Sequence, residues 1–231
     1  MLDFHRATVL TFDCYGTLID WEAGILRALR SVVDPRGLAI SDDDLLRRFA
    51  RVESPIQQGP FLNYRTVLDR GLVALCRDLG FEPTLAETTA LSDSLPSWPP
   101  FPDTVPALRR LAERFRLGII SNVDDDLFAG SARLLEVPFD WIVTAQQVGS
   151  YKPAVANFKR ALERIGRPRA EIVHCAQSLF HDVGPAQSLG LATVWVDRRG
   201  GKPGGATPPS AAVPDLTVPD LATLARVATE R

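Results

Sequence analysis

Apolar residues in this chain fall into two kinds of run. The first is short and continuous. Ala7-Thr-Val-Leu-Thr-Phe12 is rich in β-formers and apolar on both faces, and it stops at the polar, glycine-containing Asp13-Cys-Tyr-Gly-Thr17. A strand buried on both sides within a parallel sheet has this pattern. The second kind is periodic. From about Asp20 to Pro100 the chain reads as helices only: Ile25, Leu26, Leu29 and Val32 share one face over residues 22–33. Ser41-Asp-Asp-Asp44 has the form of a capping box opening a second helix. Tyr64, Leu68, Leu72, Leu75 and Leu79 recur at three- and four-residue intervals up to a stop at Gly80, and Thr84 with Glu87 forms another capping box. Pro96, Pro99, Pro100 and Pro102 then crowd together as a rigid connector.

Beyond Asp103 the two patterns alternate. Helices are predicted over 104–114, 125–135, around the Val155, Phe158, Leu162, Ile165 stripe, and over 219–229, with Pro153 in the first turn of the third. Strands are predicted over 116–120, 140–143, 171–175 and 192–196, and the Gly- and Pro-rich stretch 200–214 as a mobile loop. Such alternation predicts an α/β fold, a doubly wound, Rossmann-like parallel sheet with helices on both faces. The helical segment interrupts it directly after the first strand. The expected division is therefore a core of residues 1–19 and 100–231 and an inserted helical cap of residues 20–99.

Composition removes several classes of function. The 231 residues are 45% hydrophobic and 23% charged, which supports a packed core, and 26 Lys+Arg against 28 Asp+Glu leave a net charge of −2. No basic excess exists to bind a phosphate backbone, so no nucleic-acid partner is expected. No apolar run reaches the roughly 18 residues of a membrane span, and the first residues carry no secretory signal pattern. Cys14, Cys76 and Cys175 form no CxxC pair. A cytoplasmic protein is the expectation.

Ligands of open α/β sheets sit beyond the carboxyl ends of the strands. The polar residues there are Asp13, Tyr15 and Thr17 after the first strand and Ser121 and Asn122 after the second. Lys152 follows the third at a distance, and Gln177, Ser178, His181 and Asp182 follow the fourth. Four separate segments thus converge two carboxylates, an ammonium and several hydroxyls on one edge, as an active site requires. Asp124, Asp125 and Asp126 suit the start of the next helix, where they complement its dipole.

Phe12-Asp-Cys-Tyr-Gly-Thr-Leu-Ile-Asp20, Ile120-Ser-Asn122, Tyr151-Lys-Pro153 and the segment 177–182 occur in that order. In these motifs, and across nearly its whole length, the chain resembles the haloacid dehalogenase superfamily, most closely the type II (S)-2-haloacid dehalogenases. The resemblance implies Asp13 as a nucleophile that forms a covalent ester, with Lys152 keeping it ionised and oriented. It implies Thr17, Ser121 and Asn122 as hydrogen-bonding partners of Asp13 or of a substrate carboxylate. Asp182 is implied to pair with Lys152 or to help position the hydrolytic water. Tyr15 and Ser178 fall among the substrate-binding positions, and Trp21 and Phe61 among candidates for an apolar wall. Phosphatases of the superfamily carry an acid/base aspartate two residues after the nucleophile, where this chain has Tyr15, a phenol with an ordinary pKa of about 10. That residue points to carbon–halogen chemistry on a small-molecule substrate, without metal or cofactor. The type II enzymes also carry a cap arginine. Arg47, Arg48, Arg51 and Arg65 are available, and Arg48 is the choice made here. The chain departs from the family at Gln177 and at Leu179, where an asparagine is usual. A Mg²⁺-dependent phosphatase using the same Asp13, and a ligand-binding protein without turnover, are the alternatives. Homodimers are common on this scaffold and are a further expectation from the resemblance.

Overall fold

The run Val9–Phe12 forms strand β1, buried along its whole length. The sheet is completed by β2 (Arg116–Ser121), β3 (Trp141–Thr144), β4 (Ile172–Ala176), β5 (Ala192–Val196) and β6 (Leu216–Val218). All neighbours pair in parallel, in the order β3-β2-β1-β4-β5-β6. The protein is represented by a computed structural model that describes residues 2–201 and 210–230. From β1 the chain winds outward through β2 and β3, then crosses back to β4 on the other side. The connections leaving β1 and β4 therefore part in opposite directions, and a crevice opens at their carboxyl ends. The sixth strand was not anticipated. Its three residues carry no pattern, and the preceding Asp215 is tied to the backbone N–H and hydroxyl of Thr193 at 2.8 and 2.9 Å. Most of the Gly- and Pro-rich stretch expected to be mobile, residues 202–209, lies outside the described residues.

Between β1 and β2 stand α1 (Trp21–Val33), α2 (Asp42–Gln58), α3 (Tyr64–Asp78), α4 (Ala90–Ser94) and α5 (Thr104–Ala112). Asp20, Ser41 and Asn63 cap the first three through bonds to the backbone N–H groups of Ala23, Asp44 and Thr66. The Thr84–Glu87 pair opens no helix. Glu87 does accept from the Thr84 N–H, but it is also the ion partner of Arg36 at 2.8 Å, and the chain runs on in turns to Ala90. The remaining helices are α6 (Asp125–Leu135), α7 (Ala145–Val148), α8 (Ala156–Ile165), α9 (Gly184–Ser188) and α10 (Leu221–Thr229). Pro153 does not lie in the first turn of α8. The Lys152–Pro153 peptide is cis, and the helix starts at Ala156.

Period-two alternation along β1 divides its side chains between two apolar clusters. Leu10 and Phe12 join the larger, which also contains Ile25 and Leu29 of α1, Leu68 and Leu72 of α3 and Phe128 of α6. Helical insertion and sheet thus share one core. Val9 joins the smaller cluster, with Ile120, Phe158 and Ile172. The segments entering and leaving the insertion pair through Ile19 and Pro100, with Asp20 N–H on the Pro99 carbonyl (2.8 Å) and Phe101 N–H on that of Leu18 (3.1 Å). Gly24 lets α1 close on Trp98, since a Cβ there would lie 2.3 Å from the indole.

Candidate active site

Asp13 follows the last residue of β1, so its direction is set by the sheet, and its N–H still donates to the Cys175 carbonyl at 3.2 Å. The turn that follows needs a left-handed residue, supplied by Gly16 at φ 93°. This turn brings the Thr17 hydroxyl back to Asp13 Oδ2 at 2.9 Å, while Thr17 Oγ1 accepts the N–H of Gln177 at 2.9 Å. The β1 and β4 ends are thereby locked together through one threonine.

Lys152 donates all three ammonium hydrogens: to Asp13 Oδ1 at 2.8 Å, to Asp182 Oδ1 at 2.6 Å and to the Ile120 carbonyl at 2.8 Å. Asn122 holds the lysine's backbone, accepting its N–H at 2.7 Å and donating to its carbonyl at 3.1 Å. Asp182 Oδ1 also meets Nε2 of His174, whose Nδ1 is 2.9 Å from Thr11 Oγ1. Residue exposures of 8% for Asp13, 2% for Lys152 and 1% for Asp182 put two carboxylates and one ammonium out of water together. Burial lifts the Asp13 pKa, Lys152 opposes that shift, and the Asp182 charge adds to it. Burial also acts against the Lys152 charge, but the two carboxylates outweigh it and its pKa lies above the ordinary lysine value. Asp182 lies below the ordinary value because Lys152 and His174 together overcome its burial. Beside Asp13, the buried Cys14 thiol is pushed far up, by burial first and then by the Asp13 charge.

Asp13 opens into a cavity of about 120 Å³. Core residues Tyr15, Ser121, Asn122 and His181 form one side, and Trp21, Phe49, Ala50, Glu53, Gln57 and Tyr64 from the helical insertion form the other. The Ser121 hydroxyl is buried without a protein partner among the described residues, so it is free to donate to a ligand. The Tyr15 phenol is bonded to Ser131 Oγ at 2.9 Å, and burial raises its pKa well above the usual range. Ser178 does not border the cavity. Its hydroxyl accepts the His181 N–H at 2.8 Å and meets His181 Nδ1 at 3.1 Å, which fixes the imidazole that does border it.

Arg48 requires a correction, because the structure does not bring it to the cavity. It is bound to Asp44 at 3.1 Å and Asp78 at 2.9 Å on the outside of α2 and α3. Arg51 shares Asp78, and Arg65 reaches Asp93 and Asp126. Among the described residues no arginine borders the cavity. Instead, the row Phe49, Glu53, Gln57 at four-residue spacing on α2 faces Asp13, a pattern present in the sequence but not read there. His174 was also missed; its signal was one imidazole in an otherwise apolar strand.

The aspartates opening α6 do more than complement its dipole. Asp124 accepts the N–H groups of Tyr64 and Arg65, both at 2.8 Å, and so caps α3 across the crevice. Asp125 takes Thr144 and Gln147, and Asp126 takes Arg65. The donors near Asp13 do not suit a divalent cation. Tyr15 is a neutral phenol, Asp182 is turned to Lys152 and His174, and no cluster of three acidic, imidazole or thiol groups able to hold a metal occurs among the described residues.

A lysine-bound carboxylate at a sheet switch point, covered by a helical insertion, is the arrangement of one class of hydrolase. The chain belongs to the haloacid dehalogenase-like hydrolase family, whose model matches residues 7–187. It is 27% identical over 195 residues to an (S)-2-haloacid dehalogenase of Pseudomonas putida, covering 83% of this chain and 85% of that one. The fold is similar to that of a defluorinating L-2-haloacid dehalogenase (TM-score 0.82, 22% identity, 97% and 96% of the two chains). It is also similar to the L-2-haloacid dehalogenase of Xanthobacter autotrophicus with chloropropionic acid covalently bound (TM-score 0.79, 20% identity, 96% and 98%). Among the described residues no helix is long and apolar enough to cross a membrane.

Proposed function

We propose that the protein hydrolyses the carbon–halogen bond of a short (S)-2-haloacid, giving a 2-hydroxy acid. The observation that carries this reading is the Asp13 carboxylate, held by the Lys152 ammonium and the Thr17 hydroxyl at the mouth of a small cavity, with Tyr15 pinned to Ser131 two residues on. Lys152 and Thr17 favour the ionised carboxylate against its burial, and poor solvation keeps it reactive. It attacks C2, the C–O bond forms as the carbon–halogen bond breaks, and halide leaves with inversion. The free Ser121 hydroxyl donates to the substrate carboxylate. Water then attacks the carboxyl carbon of Asp13, and cleavage of the ester restores the enzyme. Trp21 and Phe49 close the apolar side and exclude bulk water. The three cysteines are unpaired and buried, as suits a reducing cytoplasm.

The test follows halide release from L-2-chloropropionate in EDTA alongside phosphate release from a general phosphoester with Mg²⁺. Halide release that survives EDTA and disappears in Asp13→Asn is the expected result. Phosphate release that requires Mg²⁺, with no halide, overturns the reading.

A further inference from the structure

The second half of this reaction needs a base for the attacking water, and Asp13 cannot serve once it is an ester. Lys152 has already donated its three hydrogens. Asp182 is 1% exposed, does not border the inner cavity, and shares one oxygen between Lys152 and His174. Tyr15 is bonded to Ser131, and His181 Nδ1 is engaged by Ser178. Glu53 differs from all of these. It lies on α2, lines both the inner cavity, together with Asp13, and the adjoining outer cavity of about 580 Å³, and its side chain makes no hydrogen bond or ion pair with any described residue.

We propose that Glu53 is a further catalytic residue, the general base for hydrolysis of the Asp13 ester. The assignment rests on the covalent route above and deepens it. The Glu53 carboxylate takes a proton from water while the water oxygen bonds to the Asp13 carboxyl carbon. The tetrahedral intermediate then breaks the bond to the substrate oxygen, which takes the proton back from Glu53. Asp13, left as the acid beside Lys152, releases its proton to solvent. The sum is one water consumed and one hydroxy acid, one halide and one proton released.

The surroundings suit this role. The titratable groups bordering the same two cavities as Glu53 are Tyr64 of α3, Tyr151, Lys152 and His181 from core loops, and Asp13 and Tyr15 from the β1 turn; the one cation, Lys152, has its ammonium spent on Asp13, Asp182 and the Ile120 carbonyl. Burial without a compensating charge lifts the Glu53 carboxyl to about 7, where a base works best at neutral pH. Burial pushes His181 down to about 4, which leaves its imidazole a weak base. The outer cavity, sharing Glu53, Gln57 and His181 with the inner one, gives water a route to this carboxylate.

The experiment compares wild type, Glu53→Gln and Glu53→Asp on L-2-bromopropionate, reading bromide, hydroxy acid and the adduct on the Asp13 peptide by mass spectrometry. Glu53→Gln is expected to release one bromide per site and then stall with the ester in place. Its steady-state rate should be lower by on the order of 100-fold. Glu53→Asp is expected to recover part of that rate. In wild type the ester-hydrolysis rate should rise with pH through a midpoint near 7, a limb absent in Glu53→Gln. Ester hydrolysis in Glu53→Gln at the wild-type rate with the same pH limb overturns the assignment. If wild type releases no bromide, the carbon–halogen reading fails by itself. The Glu53 assignment is then decided on p-nitrophenyl phosphate turnover, where loss of the limb in Glu53→Gln supports it and an unchanged profile overturns it.

Discussion

At the site, two buried carboxylates share one ammonium, so the ionised cluster carries a net charge of −1 in a poorly solvated place. Removing different members has opposite effects. Asp13→Asn leaves Lys152 and Asp182 as a matched pair. Because the Asp13 pKa is raised in the folded state, its ionisation disfavours folding at neutral pH. That penalty is absent below the ordinary value of 3.8, grows as pH rises from there to the raised folded pKa, and is constant above it. Asp13→Asn should therefore melt above wild type at pH 7, with a gap that closes toward pH 4, while losing turnover. Lys152→Met leaves both carboxylates unpaired and should cost about 3–5 kcal/mol. Thermal melts of the three proteins across pH check the order, and a wild type more stable than Asp13→Asn at pH 7 contradicts it. Arg48 shows how a residue can be misplaced from sequence alone. Its type and helix suited a substrate carboxylate, but Asp44, one turn before it, and Asp78 on the neighbouring helix satisfy it outside the cavity.

Between elements, the cap of α3 comes from the loop that starts α6. Asp124 is 2% exposed and satisfies two helix-end N–H groups that have no intrahelical partner. Asp124→Ala should cost about 1–2 kcal/mol in denaturant unfolding, in the range of helix-cap losses. Because Tyr64, the first residue of α3, also lines the inner cavity, it should raise KM as well. An unchanged KM and midpoint would show that the contact ties nothing together. Elements whose pattern was internal were legible in the sequence: β1 from its apolar run, α3 from its leucine spacing, and α6 from the residues that define it. Those set by a distant partner were not legible. β6 exists because β5 offers an edge, and Glu87 was drawn to Arg36.

For the whole molecule, the convergence of Asp13, Thr17, Lys152 and Asp182 could be read from three sequence segments, because strand ends in a parallel sheet must meet along one edge. The opposite wall could not. Which face of α2 looks into the crevice depends on how the insertion docks, and that hid Glu53 and Gln57. Docking is through a continuous apolar cluster from Phe12 to Leu72, so insertion and sheet should unfold together. Calorimetric and van't Hoff enthalpies are expected to agree, and two separable transitions would refute the shared core. The buried thiols bear on a hazard particular to this chemistry. Haloacids are electrophiles that alkylate thiolates, and Cys14 adjoins Asp13, the residue they would reach in the proposed reaction. Burial suppresses the thiolate at Cys14, holds Cys76 at about 11 and raises Cys175 further. On the proposed reaction, that burial spares the protein alkylation by its own substrate and leaves the Asp13 carboxylate as the one nucleophile that can be regenerated.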